Sequence, residues 1–272
     1  MQFVDKAFAR RLESCEELPQ VGYARVFQKT RPEIGAAEEE ICGGHMSFCG
    51  LGSPVGRAVG LGLDRSFSEA DLDRVEAFYR SHKAPAQVDL CPLHGPEVFE
   101  MFKQRGYAIA ELNNVLFRKL DAQEKFPSPP AHCQVRRSPP EEAGVAGSIV
   151  ESAFFPDGAP EAFRGLIAPL YQMEGSVAFV ADVGGKLVAC GTGLIVPEHK
   201  VFALCGAGTL ADYRGRGLQS ALLRARMAVA ADAGCEFAIV VTQGGTTSQR
   251  NAERLGFRVA YSKATLIKQL SS

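Results

Sequence analysis

The segment VFALCGAGTLADYRGRGLQSALLRARMAVAADAG, residues 201–234, carries the most specific pattern in this chain. It opens with a short apolar run without polar alternation, which predicts a strand buried on both faces. After a glycine-rich turn, apolar residues recur at the spacing of one buried helix face: Leu218, Ala221, Leu222, Ala225 and Val229. This spacing predicts a helix from Leu218 that ends at Gly234, a residue free to take positive φ.

The turn between this strand and this helix has the chemistry of an anion site. The first amides of a helix lack intrahelical partners, and the helix dipole adds about half a positive charge there. Gly215 and Gly217 keep side chains away from those amides, while Arg214 and Arg216 add two cations. A pyrophosphate is the ligand that such a turn favours.

Two common nucleotide-binding loops do not match this turn. A P-loop would end in Gly-Lys-Ser/Thr, which is missing from the segment. A Rossmann turn needs G-x-G-x-x-G, but Ser220 occupies the last glycine position, and Glu236 directly precedes the next strand instead of following it at ribose distance. A nucleotide-dependent oxidoreductase is therefore disfavoured.

The string Tyr213-Arg214-Gly215-Arg216-Gly217-Leu218 instead resembles the coenzyme A loop of the GNAT acetyltransferase superfamily, whose frame is Arg-x-x-Gly-x-Gly/Ala. Gln219 departs from the Gly or Ala of the last position. Because Gln is bulkier, either the pyrophosphate sits differently or the side chain of Gln219 must point away.

The flanking sequence follows the order of elements in that superfamily, over roughly residues 131–272. Downstream we predict a strand over 236–242, a short helix from about Thr247, Leu255-Gly256-Phe257, and a strand over 258–268. Upstream, 176–183 and 187–196 are typical of a hairpin across Gly184-Gly185. The resemblance implies an α/β (α+β) fold, with a mixed, mostly antiparallel sheet flanked by helices.

The first half of the chain repeats part of this order. Helix, strand, short helix, glycine with an aromatic residue, and strand occur over 68–120 as they do over 218–270. The turn Asp64-Arg65-Ser66-Phe67, however, has no glycine and places an aspartate where a phosphate would lie. We therefore predict two tandem GNAT-like domains: a degenerate one over 1–120 and an acyl-CoA-binding one over 131–272. The alternative is an unrelated α+β cap.

Local signals in the first half predict its elements individually. A helix is expected over 3–17, and short strands over 20–27 and 55–63. A capping box of Ser66 with Glu69 predicts the start of the next helix. The proline-rich 121–130 is predicted to be an extended linker. Beyond it, a helix capped by Ser138 and a second helix over 160–172 are expected where the superfamily builds its acceptor-side wall.

The resemblance implies which residues hold coenzyme A. The strand before the turn would bind the pantetheine arm through Ala207 and Thr209, and an amide near Ala207 would face the thioester carbonyl. Ser248 and Asn251 on the last short helix could touch the pantetheine or the sulfur. The full implied set is Ala207, Thr209, Arg214, Gly215, Arg216, Gly217, Leu218, Gln219, Ser220, Ser248 and Asn251.

The acid and base of acyl transfer are not assigned by the sequence. Ala252 stands where the superfamily often places a tyrosine acid, and Tyr171 and Tyr261 are the other phenols considered. A thiol with a pKa of about 8.5 can leave without a strong acid. The carboxylates near the expected acceptor wall are equivalent as candidate bases: Asp157, Glu161, Glu174 and Glu198.

Composition limits the remaining possibilities. The chain has 272 residues, 46% of them hydrophobic, and a net charge of −1, which gives no reason to expect nucleic acid or an anionic membrane as partner. No stretch approaches the roughly 18 apolar residues of a membrane span. The scattered cysteines, such as Cys190 and Cys205 in predicted strands, indicate reduced thiols and a cytoplasmic location.

Cys42-x-x-His45 and Cys91-x-x-His94 together supply two cysteines and two histidines, which are the ligand types of a zinc site. Zinc sites usually use paired knuckles on turns, whereas Cys91 follows a predicted strand, so buried free thiols are preferred and no metal is predicted.

The leading hypothesis is an N-acetyltransferase that uses acetyl-CoA as acyl donor and a small-molecule or peptide amine as acceptor. The alternative is a protein that binds acyl-CoA as a sensor or partner module without turnover. Neither the acceptor nor the oligomeric state can be read from the sequence.

Overall fold

The computed structural model describes residues 2–269. Its helices are α1 (Lys6–Thr30), α2 (Glu69–Ser81), α3 (Pro96–Gln104), α4 (Ala143–Phe154), α5 (Ile167–Gln172), α6 (Leu218–Asp232) and α7 (Thr247–Arg254). Its strands are β1 (Ala37–Ile41), β2 (Gly44–Phe48), β3 (Ala86–Leu90), β4 (Ala108–Lys119), β5 (Gln134–Arg137), β6 (Ser176–Val183), β7 (Lys186–Val196), β8 (Val201–Thr209), β9 (Phe237–Gln243) and β10 (Arg258–Lys268).

The contacts divide the chain into two compact units that alternate along the sequence. The first unit comprises Met1–Leu116, Val241–Thr246 and Val259–Ser272, and the second comprises Phe117–Val240 and Thr247–Arg258. The last strand of the chain thus belongs almost entirely to the first unit. The sequence-based boundaries at 120 and 131 stay a prediction.

The first unit is built on strand pairing between distant parts of the chain. β1 and β2 form an antiparallel hairpin, while β10 lies between β3 and β4. β10 is antiparallel to β3, with Ala264 opposite Leu90 and Lys268 opposite Ala86. The core packs α2 and α3 on these strands, through Leu72, Val75, Tyr79, Val88, Phe102 and Leu266.

The second unit has the strand order β5-β6-β7-β8-β9. Its pairs are antiparallel except β8–β9, which is parallel. Cys190 of β7 donates its thiol to the Ala146 carbonyl of α4, while the neighbouring Gly191 abuts Arg226 of α6. Because adjacent residues of a strand face opposite sides, α4 and α6 cover opposite faces of the sheet. This is the predicted mixed, mostly antiparallel sheet flanked by helices.

The elements of the second half were predicted closely. β6, β7 and β10 occur where expected, α6 begins at Leu218, and Gly234 follows its end with φ +83°. Two helical predictions need correction. After a 3₁₀ turn over Pro140–Glu142, α4 begins at Ala143, and Ser138 does not cap it but donates to the Glu142 carboxylate at 2.9 Å. The second helix is reduced to α5, preceded by a 3₁₀ turn at Glu161–Phe163.

The first half holds the larger errors. Residues 20–27 are not a strand but the second half of α1, which continues through Pro19 because Val21, Ala24 and Phe27 are buried at helical spacing. Residues 55–63 do not form a strand either, since Gly56, Gly60 and Gly62 take φ values of 107°, 71° and 68°. That segment makes only isolated bridges, at Ala58 and Val59.

The cap of α2 is also displaced from its predicted position. Ser68, not Ser66, is the N-cap, and it forms a reciprocal capping box with Asp71. The acidic residue three positions after the N-cap is Asp71. Its carboxylate accepts a hydrogen bond from the Ser68 amide, the role that Glu has in the usual capping box.

Candidate functional site

β8 parts from β9 halfway along its length. The parallel pairing runs from Val201 opposite Phe237 to Leu204 opposite Val240, whereas β8 continues to Thr209. Beyond Leu204, the backbone groups of β8 on the side of β9 are not paired with that strand. They are available to an extended ligand.

A β-bulge interrupts β8 at the same point. Thr192 of β7 pairs with Cys205 and Cys190 pairs with Gly208, so Gly206 and Ala207 together oppose the single residue Gly191. Gly206 has a φ of +51°, which favours glycine. A bulge re-aims the backbone amides of the residues that it contains.

Two glycines of β8 allow helices to approach the bulge closely. A Cβ on Gly206 would lie 2.5 Å from the Thr192 hydroxyl oxygen and 2.7 Å from a methyl carbon of Leu170. A Cβ on Gly208 would lie 2.9 Å from the Cα of Val150 in α4. Both glycines therefore lie inside a strand pressed against α4 and α5, not in a turn.

The turn that follows exposes the start of α6. Gly215 and Gly217 have φ values of 74° and 79°, and Gly217 is the N-cap of the helix without a side-chain cap. The first helical bond runs from the Ala221 amide to the Gly217 carbonyl at 3.0 Å. A Cβ added to Gly215 would meet open space, so the region above the turn is accessible.

The two arginines of the turn have different surroundings. Arg214 donates to the carbonyls of Ala153 at 2.8 Å and Thr209 at 3.3 Å, which ties the end of α4 to the end of β8. Arg216 donates to the Asp212 carbonyl at 2.9 Å, and its guanidinium lies 5.0 Å from the centre of the Tyr213 ring. Both side chains are exposed and place positive charge beside the helix N-terminus.

Gln219 points away from the turn. Its side-chain nitrogen donates to the carbonyls of Gly208 at 2.8 Å and Cys190 at 3.3 Å, and to the Thr209 hydroxyl at 2.9 Å. The departure from Gly or Ala thus leaves the turn open and links α6 to the ends of β7 and β8. Leu218 beside it is buried, and Ser220 is half-buried.

The remaining candidate residues for binding pantetheine lie on α7. Ser248 of α7 is exposed, Asn251 is half-buried, and Ala252 is only 2% exposed. α7 contacts α6 within the second unit. The side chains of α7 therefore belong to the same unit as the turn.

The two tyrosines considered as acids are engaged elsewhere. Tyr171 donates its hydroxyl to Ser138 at 3.0 Å, and burial raises its pKa. Tyr261 lies in the first unit, donates to Glu13 at 2.6 Å, and has a pKa raised first by burial. The four candidate base carboxylates named above are all exposed, and the geometry distinguishes none of them.

One residue that contacts the strands beside the bulge is not among the residues implied by the sequence. Arg226 of α6 is 1% exposed and donates to the carbonyl of Thr192 at 2.6 Å. The sequence does indicate that this arginine is unusual. Arg226 falls four residues after Leu222, on the buried face of the helix, where an arginine is rarely found.

Within residues 2–269, no cluster of three or more His, Cys, Asp or Glu side chains is arranged to hold a metal ion. His45 of the motif weighed for zinc contacts Glu17 through Nδ1 at 2.6 Å. No helix in this part of the chain combines the length and apolar character needed to cross a membrane.

Comparison with known proteins agrees with this geometry. Residues 148–257 match the family model described as "Acetyltransferase (GNAT) family". The fold is similar to a tandem GNAT protein from the clavulanic acid biosynthesis pathway, with a TM-score of 0.62 and 13% identity over 85% of this chain and 82% of that one. It is also similar to a GCN5-related N-acetyltransferase from Kribbella flavida, with a TM-score of 0.57 and 19% identity over 74% and 75% of the two chains. No curated protein sequence gives a significant match.

Proposed function

Residues 148–257 are a domain of the acetyltransferase (GNAT) family, whose members transfer acetyl groups from coenzyme A, and from this premise we propose that the protein acetylates an amine. The acceptor in this proposal is a small molecule or a peptide. The amine nitrogen attacks the thioester carbonyl carbon, the carbon–sulfur bond breaks, and coenzyme A leaves as thiolate. The proton lost by the amine goes to solvent or to that thiolate.

The observation that carries the proposal is the continuity of the bulge, the turn and the start of α6. Coenzyme A pyrophosphate would bind the amides over 215–220, with Arg216 adding charge. The pantetheine arm would run along the edge of β8 that β9 leaves unpaired, beside Ala207 and Thr209. An amide of the bulge would then face the thioester carbonyl, a position where one donor is worth about 2.7–4 kcal/mol in enzymes.

Other residues would shape the site without touching the reacting atoms. Arg214 holds α4 against the end of β8 through the Ala153 carbonyl, and Gln219 holds the ends of β7 and β8 together. Ser248 and Asn251 would lie toward the pantetheine or the sulfur. Because Ala252 supplies no hydroxyl, the thiolate leaves unassisted or through water.

Release of free thiol from acetyl-CoA tests the proposal. A panel of amines, amino acids and short peptides is added as acceptors, with Gly217→Val as the variant in which the turn is blocked. We expect acceptor-dependent thiol release by the natural protein and its loss in Gly217→Val. Release that persists unchanged in that variant would contradict the proposed location.

A second function, binding of acyl-CoA without turnover, is favoured by one observation. Ala252 removes the usual acid and is itself buried, so no side chain of that position reaches a bound thioester. If acetyl-CoA binds but no acceptor in the panel releases thiol, this second function replaces the first.

A further inference from the structure

Arg226 is a buried cation for which residues 2–269 supply no acidic partner. Its side chain is among the largest that are fully enclosed, at 1% exposure. In the described part of the chain its guanidinium donates to backbone carbonyls and forms no salt bridge. Burial lowers its pKa to about 10, with Cys205 and Cys190 acting in the opposite direction. The guanidinium is therefore charged at neutral pH inside the sheet–helix interface.

Such a group is unfavourable for stability. A buried charge without a counter-charge is costly, and apolar residues of similar size often serve stability as well or better. β7 also accommodates it with a glycine, because a Cβ on Gly191 would lie 2.6–2.8 Å from guanidinium atoms. Packing alone therefore does not account for an arginine at this position.

The contacts of Arg226 lie on the last regular residue pair before the bulge. Nη1 donates to the Thr192 carbonyl at 2.6 Å and reaches the Cys205 carbonyl at 3.5 Å, and Nε donates to the Leu222 carbonyl at 3.1 Å. Thr192 and Cys205 are paired across β7 and β8. One guanidinium thus holds both strands where β8 begins to deviate.

The Cys205 carbonyl connects this contact to the candidate acyl site. It also accepts a hydrogen bond from the Thr192 hydroxyl at 3.1 Å. The same peptide group carries the amide of Gly206, the first residue of the bulge. Donors on a carbonyl fix the peptide plane and polarise its N–H, so these contacts orient the Gly206 amide at the start of the bulge.

We propose that Arg226 is a positioning residue, which holds the bulge with its amides aimed at the acyl carbonyl and adds positive charge beneath the developing oxyanion. The proposal rests on the proposed acyl transfer. It extends that function by assigning a role to a residue that cannot touch the acyl donor.

The test compares Arg226→Met and Arg226→Lys with a matched control, Arg224→Met, which removes the same charge from a half-buried position of the same helix. We expect kcat of Arg226→Met to fall about 10- to 100-fold, below the 10²–10³-fold loss of an oxyanion donor itself. KM for acetyl-CoA and the Kd for free coenzyme A should change little. Arg226→Lys should recover part of kcat, and Arg224→Met should resemble the natural protein.

A spectroscopic measurement does not depend on turnover. Isotope-edited infrared spectra of bound ¹³C-carbonyl acetyl-CoA report how strongly the thioester carbonyl is polarised. We expect a lower stretching frequency in the natural protein than in water, and a return toward the solution value in Arg226→Met. If acetyl-CoA binds but no acceptor is turned over, the proposed function fails while this measurement still decides the role of Arg226.

An unchanged kcat and carbonyl frequency in a folded Arg226→Met protein would overturn the proposal. So would a fall in kcat together with a rise in KM, a loss of coenzyme A affinity and an unchanged carbonyl frequency, which indicates a purely structural role. If Arg226→Met does not fold, Thr192→Val removes the other donor to the Cys205 carbonyl at nearly constant volume. The same frequency shift in that variant supports the proposal, and its absence contradicts it.

Discussion

Gly217 offers the most direct test at the scale of a single residue. Acetyl-CoA at a hundredfold excess over Kd should stabilise the natural protein by about 2.7 kcal/mol. Gly217→Val should abolish this increase in Tm, because a side chain at φ +79° blocks the turn. Gly234→Val, at φ +83° beyond the other end of α6, carries a comparable strain of about 1–2 kcal/mol and serves as control. An undiminished ligand shift in Gly217→Val would place the phosphates elsewhere.

Gln219 allows a second test, because its amide nitrogen faces only acceptors. Gln219→Glu would direct a carboxylate at the carbonyls of Gly208 and Cys190, whereas Gln219→Ala only removes the donors. In urea denaturation, we expect the free energy of unfolding to fall by about 1 kcal/mol in the alanine variant and by clearly more in the glutamate variant. Equal losses would mean that the side chain leaves the strands in solution.

Ala252 determines the expected pH dependence of activity. Since no tyrosine stands at the usual acid position, the rate should climb with pH as the acceptor amine deprotonates, without an alkaline fall. Ala252→Tyr should not raise kcat greatly, whereas an acid for which the site was built would contribute about 10²–10⁴-fold. A bell-shaped profile that persists in both Tyr171→Phe and Tyr261→Phe would reveal an acid not identified above.

At the scale of elements, α1 and β2 of the first unit are joined by a titratable pair. The Glu17 carboxylate contacts His45 Nδ1 at 2.6 Å and Arg10 at 2.5 Å. The hydrogen bond with Glu17 raises the pKa of His45. Burial by itself would raise the pKa of Glu17. The hydrogen bonds from His45 and Arg10 outweigh burial and lower this pKa.

The signs of these shifts set a pH window. The contribution of His45 to the free energy of unfolding is complete below its unfolded-state pKa of about 6.5. It is lost as pH rises through the folded-state pKa. The contribution of Glu17 is complete above about 4.5 and is lost on acidification. We expect the free energy of unfolding to decrease as pH rises above about 6.5, less steeply in His45→Gln. Identical slopes for the two proteins, in urea denaturation at each pH, would contradict this coupling.

At the scale of the whole molecule, one coenzyme A is expected per chain. The turn over 64–67 of the first unit lacks glycine, and Asp64 accepts a hydrogen bond from Arg10 at 2.8 Å. A carboxylate at this place repels phosphate, unlike the cationic turn before α6. Calorimetric titration with acetyl-CoA should therefore give a stoichiometry of one, and a value of two would contradict the degenerate-copy interpretation.

The sequence alone determined the features that local patterns encode. The apolar run before the turn, the helical spacing after it and the glycines of the turn specify the first half of β8, α6 and their connection, since each depends on near neighbours in the chain. The bounds of β10 followed in the same way. Local patterns failed at Pro19 and over 55–63, where burial of Val21 and Phe27 and the positive φ of glycines overrode the apparent signals.

The tertiary structure alone decided the long-range arrangement of these elements. Register and packing between distant segments pair β10 with β3, place Gly206 and Ala207 opposite one residue, and bring Arg226 beneath them. Gln219 shows the difference in a single residue. The sequence left two options for its side chain, and the choice depended on carbonyls of β7 and β8 that only folding brings within hydrogen-bonding distance.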